Sequence, residues 1–351
     1  MQGQLNVVLD AFWGSCGKGK VCDWLTATHR VTDLISGNMP NAGHTVVRGI
    51  KQHVMKVFPS GAPFNDNIPV WLSGSSGFTV ERFFEEATLL RQREIYVSDR
   101  AMTITAEHTR FEKDQLSHIS STMQGSAAAL VDKIMRGQKS TINDQEISKF
   151  VVESSGWRRN LLKRILSGTA LYEVAQGWGL SIDHGTHYPQ CTSRNCSTNR
   201  ALDDTACPPQ LIGDVIAVVR PYPIRVGNTS DGYSGGWASD NGEVTWKDVQ
   251  DIAGLRGSLE EKERTTVTKR IRRVSTFSFE LLLDCVMHNG VSGIFLNFAQ
   301  YINQAVEFKR GKISDAPRDV RIFIDAIELT CNVPVIAIGT GADTFDVMTR
   351  D

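Results

Sequence analysis

Trp13-Gly14-Ser15-Cys16-Gly17-Lys18-Gly19-Lys20 decides the fold. Asn6-Val7-Val8-Leu9 precedes it, an apolar run short enough for a buried strand. Val21, Trp24, Leu25 and Thr28 follow at helical spacing, so the stretch is the turn of a strand–turn–helix unit. Glycines let the backbone approach an anion, and amides at a helix start face it. Lys18 and Lys20 add mobile positive charge. The spacing from Gly14 to Gly19-Lys20 fits G-x-x-x-x-G-K, but Val21 stands where a P-loop needs Ser or Thr to hold magnesium. The sequence thus implies a P-loop-like phosphate site of a different make. The blander alternative is a glycine turn with solvated lysines.

Outward from this turn, strands and helices alternate. Val31–Ile35, Ile68–Leu72, Ile95–Val97, Leu171–Ala175, Val215–Val219, Ile294–Phe298 and Val333–Ile338 read as strands. Helices are predicted after Thr79, over Phe279–Met287 and over Val320–Leu329, and Arg48-Gly49-Ile50-Lys51 turns a hairpin. This alternation predicts an α/β fold with a mostly parallel central sheet and flanking helices. Residues 106 to 170 form a helical excursion, and 228 to 243, rich in Gly, Ser and Asp, read as a surface excursion. Residues 265 to 273 form a basic loop. No linker or repeat divides the chain, so residues 1–351 are expected to form one domain.

With 38 basic and 39 acidic residues, the net charge of −1 gives no case for a nucleic-acid groove or an anionic membrane surface. No apolar run approaches the roughly 20 residues of a membrane span. Met1-Gln2-Gly3-Gln4 lacks the features of a signal peptide, and seven cysteines, an odd number, fit reduced thiols. A cytoplasmic location is therefore expected. Cys191, Cys196 and Cys207, with His184 and His187, raise zinc, but their spacing fits no common zinc pattern.

Taken in order, several pieces resemble the adenylosuccinate synthetase family. They are Trp13-Gly14 with Gly17-Lys18-Gly19-Lys20; Asn41-Ala42-Gly43-His44-Thr45; Pro59-Ser60-Gly61; Ala175-Gln176-Gly177; Ile182-Asp183-His184-Gly185-Thr186; Arg225-Val226-Gly227; and the Arg270/Arg272 cluster. The family phosphorylates a purine 6-oxo group with a nucleoside triphosphate, and an aspartate amine then displaces phosphate. The resemblance implies that Gly14, Ser15, Cys16, Gly17, Lys18, Gly19 and Lys20 cradle the triphosphate with Gly43, His44, Thr45, Gln300 and Gly341. It implies catalytic roles for Ser15, Lys18, His44 and Gln176, with Mg²⁺ near Ser15 and the Gly43 carbonyl. Ser15, Asn41, Thr122, Arg136, Gln176, Thr192 and Val226 would bind the acceptor nucleotide, and Thr266, Thr268, Arg270 and Arg272 the aspartate. The family residue matching Arg136 reaches across a twofold axis, so a homodimer is implied. Singly, each of these has a blander reading, such as a loop histidine or a solvated basic run.

Two departures bear on the substrate. The family loop reads Trp-Gly-Asp-Glu-Gly-Lys-Gly-Lys, and Ser15 stands in place of its catalytic aspartate. A serine hydroxyl takes no proton near pH 7 unaided. The choice is then a dead enzyme or a changed acceptor, because a short uncharged Ser15 leaves room for a purine 2-amino group. Gln300 stands where a family aspartate selects guanine, and a glutamine amide suits adenine's edge. Phe298 replaces a neighbouring lysine and could stack on a base. Both changes resemble a phage branch that makes 2-amino-2′-deoxy-N6-succinyl-AMP from dGMP, L-aspartate and ATP (or dATP). Apolar Ile224 and Val226 hint at deoxyribose. The base for N1 stays open among the substrate carboxylate, the phosphate and a water. An ordinary IMP-using synthetase and a non-catalytic nucleotide-binding relative remain the alternatives.

Overall fold

The computed structural model describes residues 4–41, 43–90, 94–137, 145–265 and 269–350. Among them runs an eleven-stranded sheet. Its spatial order is Gly311–Lys312, Val347–Thr349, Val335–Gly339, Gly293–Leu296, Ile212–Val219, Gln4–Asp10, Thr169–Glu173, Asp33–Ser36, Val70–Leu72, Ile95–Ser98 and Val151–Val152. Every adjacent pair is parallel except Val335–Gly339 with Val347–Thr349. Strands such as Gln4–Asp10 and Ile212–Val219 are apolar on both faces because helices cover both, as parallel sheets require.

The order of strands places the site. From Gln4–Asp10 the chain moves to one side of the sheet, comes back at Thr169–Glu173, then continues on the other side from Ile212–Val219. Loops leaving the carboxyl ends of these three central strands therefore part from one another. That divergence opens the crevice where α/β sheets bind ligands.

The helices have readable causes. Lys18–Thr28 starts directly from the glycine turn, with Gly17 left-handed at φ 83°. Thr79 caps Val80–Ala87 by accepting from the Arg82 amide, and Ser278 caps Phe279–Asn289 through the Leu281 amide. Arg318–Cys331 packs against Phe279–Asn289. The antiparallel hairpin of His44–Arg48 and Lys51–Met55 forms as expected.

The structure differs from the sequence reading in several places. Thr198–Thr205 and Trp246–Ala253 are helices, the first capped by Ser197 and the second by a Thr245/Asp248 capping box. The segment from 228 to 243 is not wholly a surface excursion. Ser234 and Gly235 are buried, and Trp237 meets the Trp13 ring edge-on at 5.3 Å. Ile224 packs in a small apolar cluster with Trp246, Val249, Leu259, Val274 and Tyr301. It is 2% exposed there, whereas Val226 is half-buried. All seven cysteines are unpaired, and Cys196 and Cys207 lie in the hydrophobic core. Among the described residues no group of His, Cys, Asp or Glu is arranged to hold a metal, and no helix is long and apolar enough to cross a membrane.

Candidate active site

The phosphate loop is held from beneath by Asp10, the last residue of the first strand. Its Oδ1 accepts from the amides of Phe12 (3.0 Å) and Gly14 (3.2 Å), and its Oδ2 from that of Cys16 (2.8 Å). Three amide donors on one buried carboxylate fold the turn tightly. Gly14, Ser15 and Gly17 consequently sit at positive φ, 90°, 59° and 83°. Glycine adopts this region freely, but Ser15 does so only because the surroundings over-determine it. Burial and the Asp10 carboxylate push the Cys16 thiol well up, so it stays a neutral packing group.

The two lysines are not mobile charges, contrary to the sequence reading. Lys18 Nζ donates to the Gln176 carbonyl at 2.7 Å. Lys20 Nζ donates to the carbonyls of Gly341 (2.8 Å) and Asp346 (2.7 Å). Both are buried because the fold closes over the loop. Burial brings Lys20 down to about 7, against the pull of Asp346 and Asp343. Lys20 thus straps the Gly341 loop to the cradle. Asn297 straps it from another side, its Nδ2 donating to the carbonyls of Cys16 (3.0 Å) and Gly17 (3.1 Å).

His44 reaches the cradle over Gly19, where an added Cβ would lie 3.2 Å from His44 Cβ and 3.1 Å from the Thr45 carbonyl oxygen. Its Nδ1 contacts Oε1 of Glu173, the terminal residue of strand Thr169–Glu173. Glu173 also accepts from the Ser60 amide and hydroxyl, each at 2.8 Å. Burial alone would raise this carboxyl, but His44 and Ser60 outweigh it and hold it at about 2. An ionised Glu173 on Nδ1 fixes the ring and leaves Nε2 as its working edge.

Gln176 follows at φ 62°. Beside it, a Cβ on Gly177 would lie 2.4 Å from the Phe12 carbonyl and 2.5 Å from the Gly14 amide, so only glycine lets the two loops touch. A Cβ on Gly17 would lie 3.4 Å from the Phe298 ring. Phe298 is itself left-handed and opens the turn Ala299–Tyr301 that carries Gln300. Gln300 Oε1 is buried with no hydrogen-bond partner.

The acceptor residues are spread around this centre. Asn41 Oδ1 accepts from Ser126, the first residue of helix Ser126–Ile134. The Thr122 hydroxyl is buried without a partner, and the Thr192 amide donates to the Leu180 carbonyl. Val226 is half-buried between Arg225 and Gly227. Arg225 donates to the carbonyls of Ser234 and Gln190 while lying 5.3 Å from the Trp13 ring. Burial lowers it to about 10. Arg136 stands apart, exposed at the far end of Ser126–Ile134.

On the aspartate side, Arg270 Nη1 donates to the Gly227 carbonyl at 3.0 Å, and Arg272 Nη1 to Glu263 Oε2 at 3.0 Å. Thr266 and Thr268 lie outside the described residues. Asp10, Glu173, Asn297, Arg220 and Glu263 were missed by sequence reasoning. The signal for two of them was present: Asp10 and Glu173 are lone acids ending apolar runs, Val7-Val8-Leu9 and Leu171-Tyr172.

Fold and site together define an α/β nucleotide-binding protein whose phosphate cradle departs from the P-loop pattern. The chain belongs to the adenylosuccinate synthetase family: the family's sequence model matches residues 7–149 and 138–311. It is 33% identical over 314 residues to the N6-succino-2-amino-2′-deoxyadenylate synthase of Vibrio phage phiVC8, covering 85% of this chain and 87% of that one. The cyanophage S-2L enzyme of the same name is 32% identical over 358 residues, covering 98% and 93%. A structure of the S-2L succinoaminodeoxyadenylate synthetase, bound to dGMP and dATP as an energy donor, superimposes with a TM-score of 0.84 at 30% identity, covering 99% and 96%. Fully ligated adenylosuccinate synthetase from Plasmodium falciparum shares the fold, with a TM-score of 0.82 at 19% identity, covering 99% and 100%.

Proposed function

We propose that this chain is a ligase that forms 2-amino-2′-deoxy-N6-succinyl-AMP from dGMP, L-aspartate and ATP or dATP. Ser15 carries the reading. It takes the place of the family aspartate, is exposed at the mouth of the cradle, and puts no carboxylate beside the acceptor base. A guanine 2-amino group is tolerated there, where an aspartate side chain would crowd it. The names of the phage relatives, and the dGMP and dATP in the S-2L structure, support the same substrates.

In the first step the γ-phosphoryl group passes to guanine O6 and ADP (or dADP) leaves, as N1 gives up its proton to the substrate carboxylate, a phosphate oxygen or a water. His44, aimed by Glu173, and the amides that open helix Lys18–Thr28 stabilise the charge that develops on the transferring group. Gln176 faces the purine 6-position. In the second step the aspartate amine attacks C6 and phosphate leaves. Arg270 and Arg272 hold the two aspartate carboxylates with Thr266 and Thr268. Arg272 would exchange its Glu263 partner for the substrate. Asp10 does not take over as the base, since both its oxygens are occupied by amides.

The donor base lies between Phe298 and Gln300, whose unpartnered Oε1 suits adenine's amino group. Thr122, with its unpartnered hydroxyl, holds the dGMP phosphate with Thr192 and, across the twofold interface, Arg136 of the partner subunit. Magnesium fits this donor set as an ion carried mainly by phosphate oxygens, and the Ser15 hydroxyl and the Gly43 carbonyl would hold it from the protein side. When bound it neutralises charge between the phosphates. The chain acts as one domain and as a homodimer. Val131, Ile134 and Met135, exposed at i, i+3, i+4 spacing just before Arg136, make an apolar stripe suited to a second copy. Its place is the host cytoplasm.

The test is direct. Purified protein with Mg²⁺, aspartate and ATP is given dGMP or IMP, and products are read by mass. A succinylated product from dGMP is expected. Product from IMP alone would move the protein to ordinary adenylosuccinate synthesis, and no ATP turnover with either acceptor would leave only nucleotide binding.

A further inference from the structure

Arg220 follows the end of strand Ile212–Val219 and is 1% exposed. Its guanidinium is divided among three parts of the site. Nη1 donates to the Ser15 carbonyl at 3.2 Å, and Nη2 donates to Glu263 Oε1 at 2.8 Å. Its carbon lies 4.3 Å from the centre of the Phe298 ring. Glu263 is 4% exposed and equally engaged. Its Oε2 accepts from Arg272, its Oε1 also accepts from the Tyr301 hydroxyl at 2.8 Å, and its carbonyl accepts from the Arg272 amide at 3.0 Å. One buried acid and one buried base therefore touch the acceptor-side loop, the donor-base platform and an aspartate-side arginine.

We infer that Arg220 and Glu263 are positioning residues that couple occupancy of the aspartate subsite to the setting of Ser15 at the acceptor purine. The inference rests on the proposed aspartate role of Arg272. A planar guanidinium presents its donors in a fixed fork, so it cannot hold Glu263 differently without moving its grip on Ser15. When an aspartate carboxylate draws Arg272 away, Glu263 is left to Arg220 and Tyr301, and its full charge falls on them. The tightened pair steadies the Ser15 carbonyl and, through it, a left-handed residue that the backbone would not choose alone. Linkage makes the effect reciprocal: dGMP must then favour aspartate by the same factor.

The test measures dGMP affinity by calorimetry, with Mg²⁺ and a non-hydrolysable ATP analogue, with and without saturating aspartate. The wild-type protein is expected to bind dGMP about 5-fold or more tightly with aspartate, within the usual range of coupling between sites. Arg220→Lys keeps a charge for Glu263 but cannot reach both partners as a fork, so the factor should fall below about 2-fold. Glu263→Gln should do the same, and either variant carries the test if the other fails to fold. A merely structural role would lower the melting temperature and leave the factor alone. A wild-type factor near one, or an unchanged factor in a folded variant, overturns the inference. Arg272→Leu is read separately: an unchanged aspartate KM there would remove the aspartate role itself.

Discussion

In the phosphate loop the anchors are internal and already made. Asp10 gathers three amides, Asn297 takes two carbonyls, Lys20 two more, and Arg220 holds Ser15. In the basic loop the two arginines proposed to bind aspartate are engaged by the protein itself, Arg270 on Gly227 and Arg272 on Glu263. On the proposed roles the phosphates meet a finished cradle, while aspartate must trade partners with the chain. Preorganisation favours rate at the first site, and exchange allows order of binding at the second.

The sharpest way to break this contrast is at the finished site. His44→Ala should lower kcat by about 10²–10³-fold with little change in the KM for dGMP, as for loss of one preorganised donor. A pure KM effect in steady-state kinetics would mean that His44 binds substrate without stabilising the transfer. At the exchanging site, Arg270→Leu or Arg272→Leu should raise the aspartate KM by about 10–100-fold, the worth of a charge-assisted pair, and the dGMP KM far less. Equal effects on both would erase the distinction between the two loops. Gln300→Asp should move donor preference from ATP toward GTP by about 10-fold, in proportion to one base-edge hydrogen-bond pair. Unaltered preference in donor competition would remove Gln300 from the donor base.

The smallest effect concerns pH. Glu173 is held at about 2 when folded, below its ordinary 4.5. A depressed carboxyl contributes stability above its unfolded value and loses it as pH falls through the folded one. The stability gap between the wild type and Glu173→Gln, from denaturant melts, should therefore narrow from pH 4.5 toward 2. A gap that stays constant there would mean that the carboxylate is not held by His44 and Ser60.

Much of the site could be read from the chain because the glycine-bearing loops carry local signals. Gly14 and Gly17 are glycines for conformation and Gly177 for contact, and the turn that the first two form is legible at once. The helices over Thr198–Thr205 and Trp246–Ala253 were passed over although Ser197 and the Thr245/Asp248 pair mark their starts, because polar sequence around them suggested loops. Lys18 and Lys20 were misread as mobile because their carbonyl partners, Gln176, Gly341 and Asp346, are more than 150 residues away. The same distance hid the contacts of Arg220 with Ser15 and of Asn297 with Cys16. Pairings across the sheet have no period and no local composition, so only the folded chain reveals them.

On the proposed function, the uncharged Ser15 admits the purine 2-amino group. This is tested by the ratio of kcat/KM for dGMP to that for dIMP, in the wild type and in Ser15→Asp. The expected result is a ratio well above one that drops by at least about 10-fold, or inverts, when the carboxylate returns. A ratio that does not change on that substitution would contradict the account.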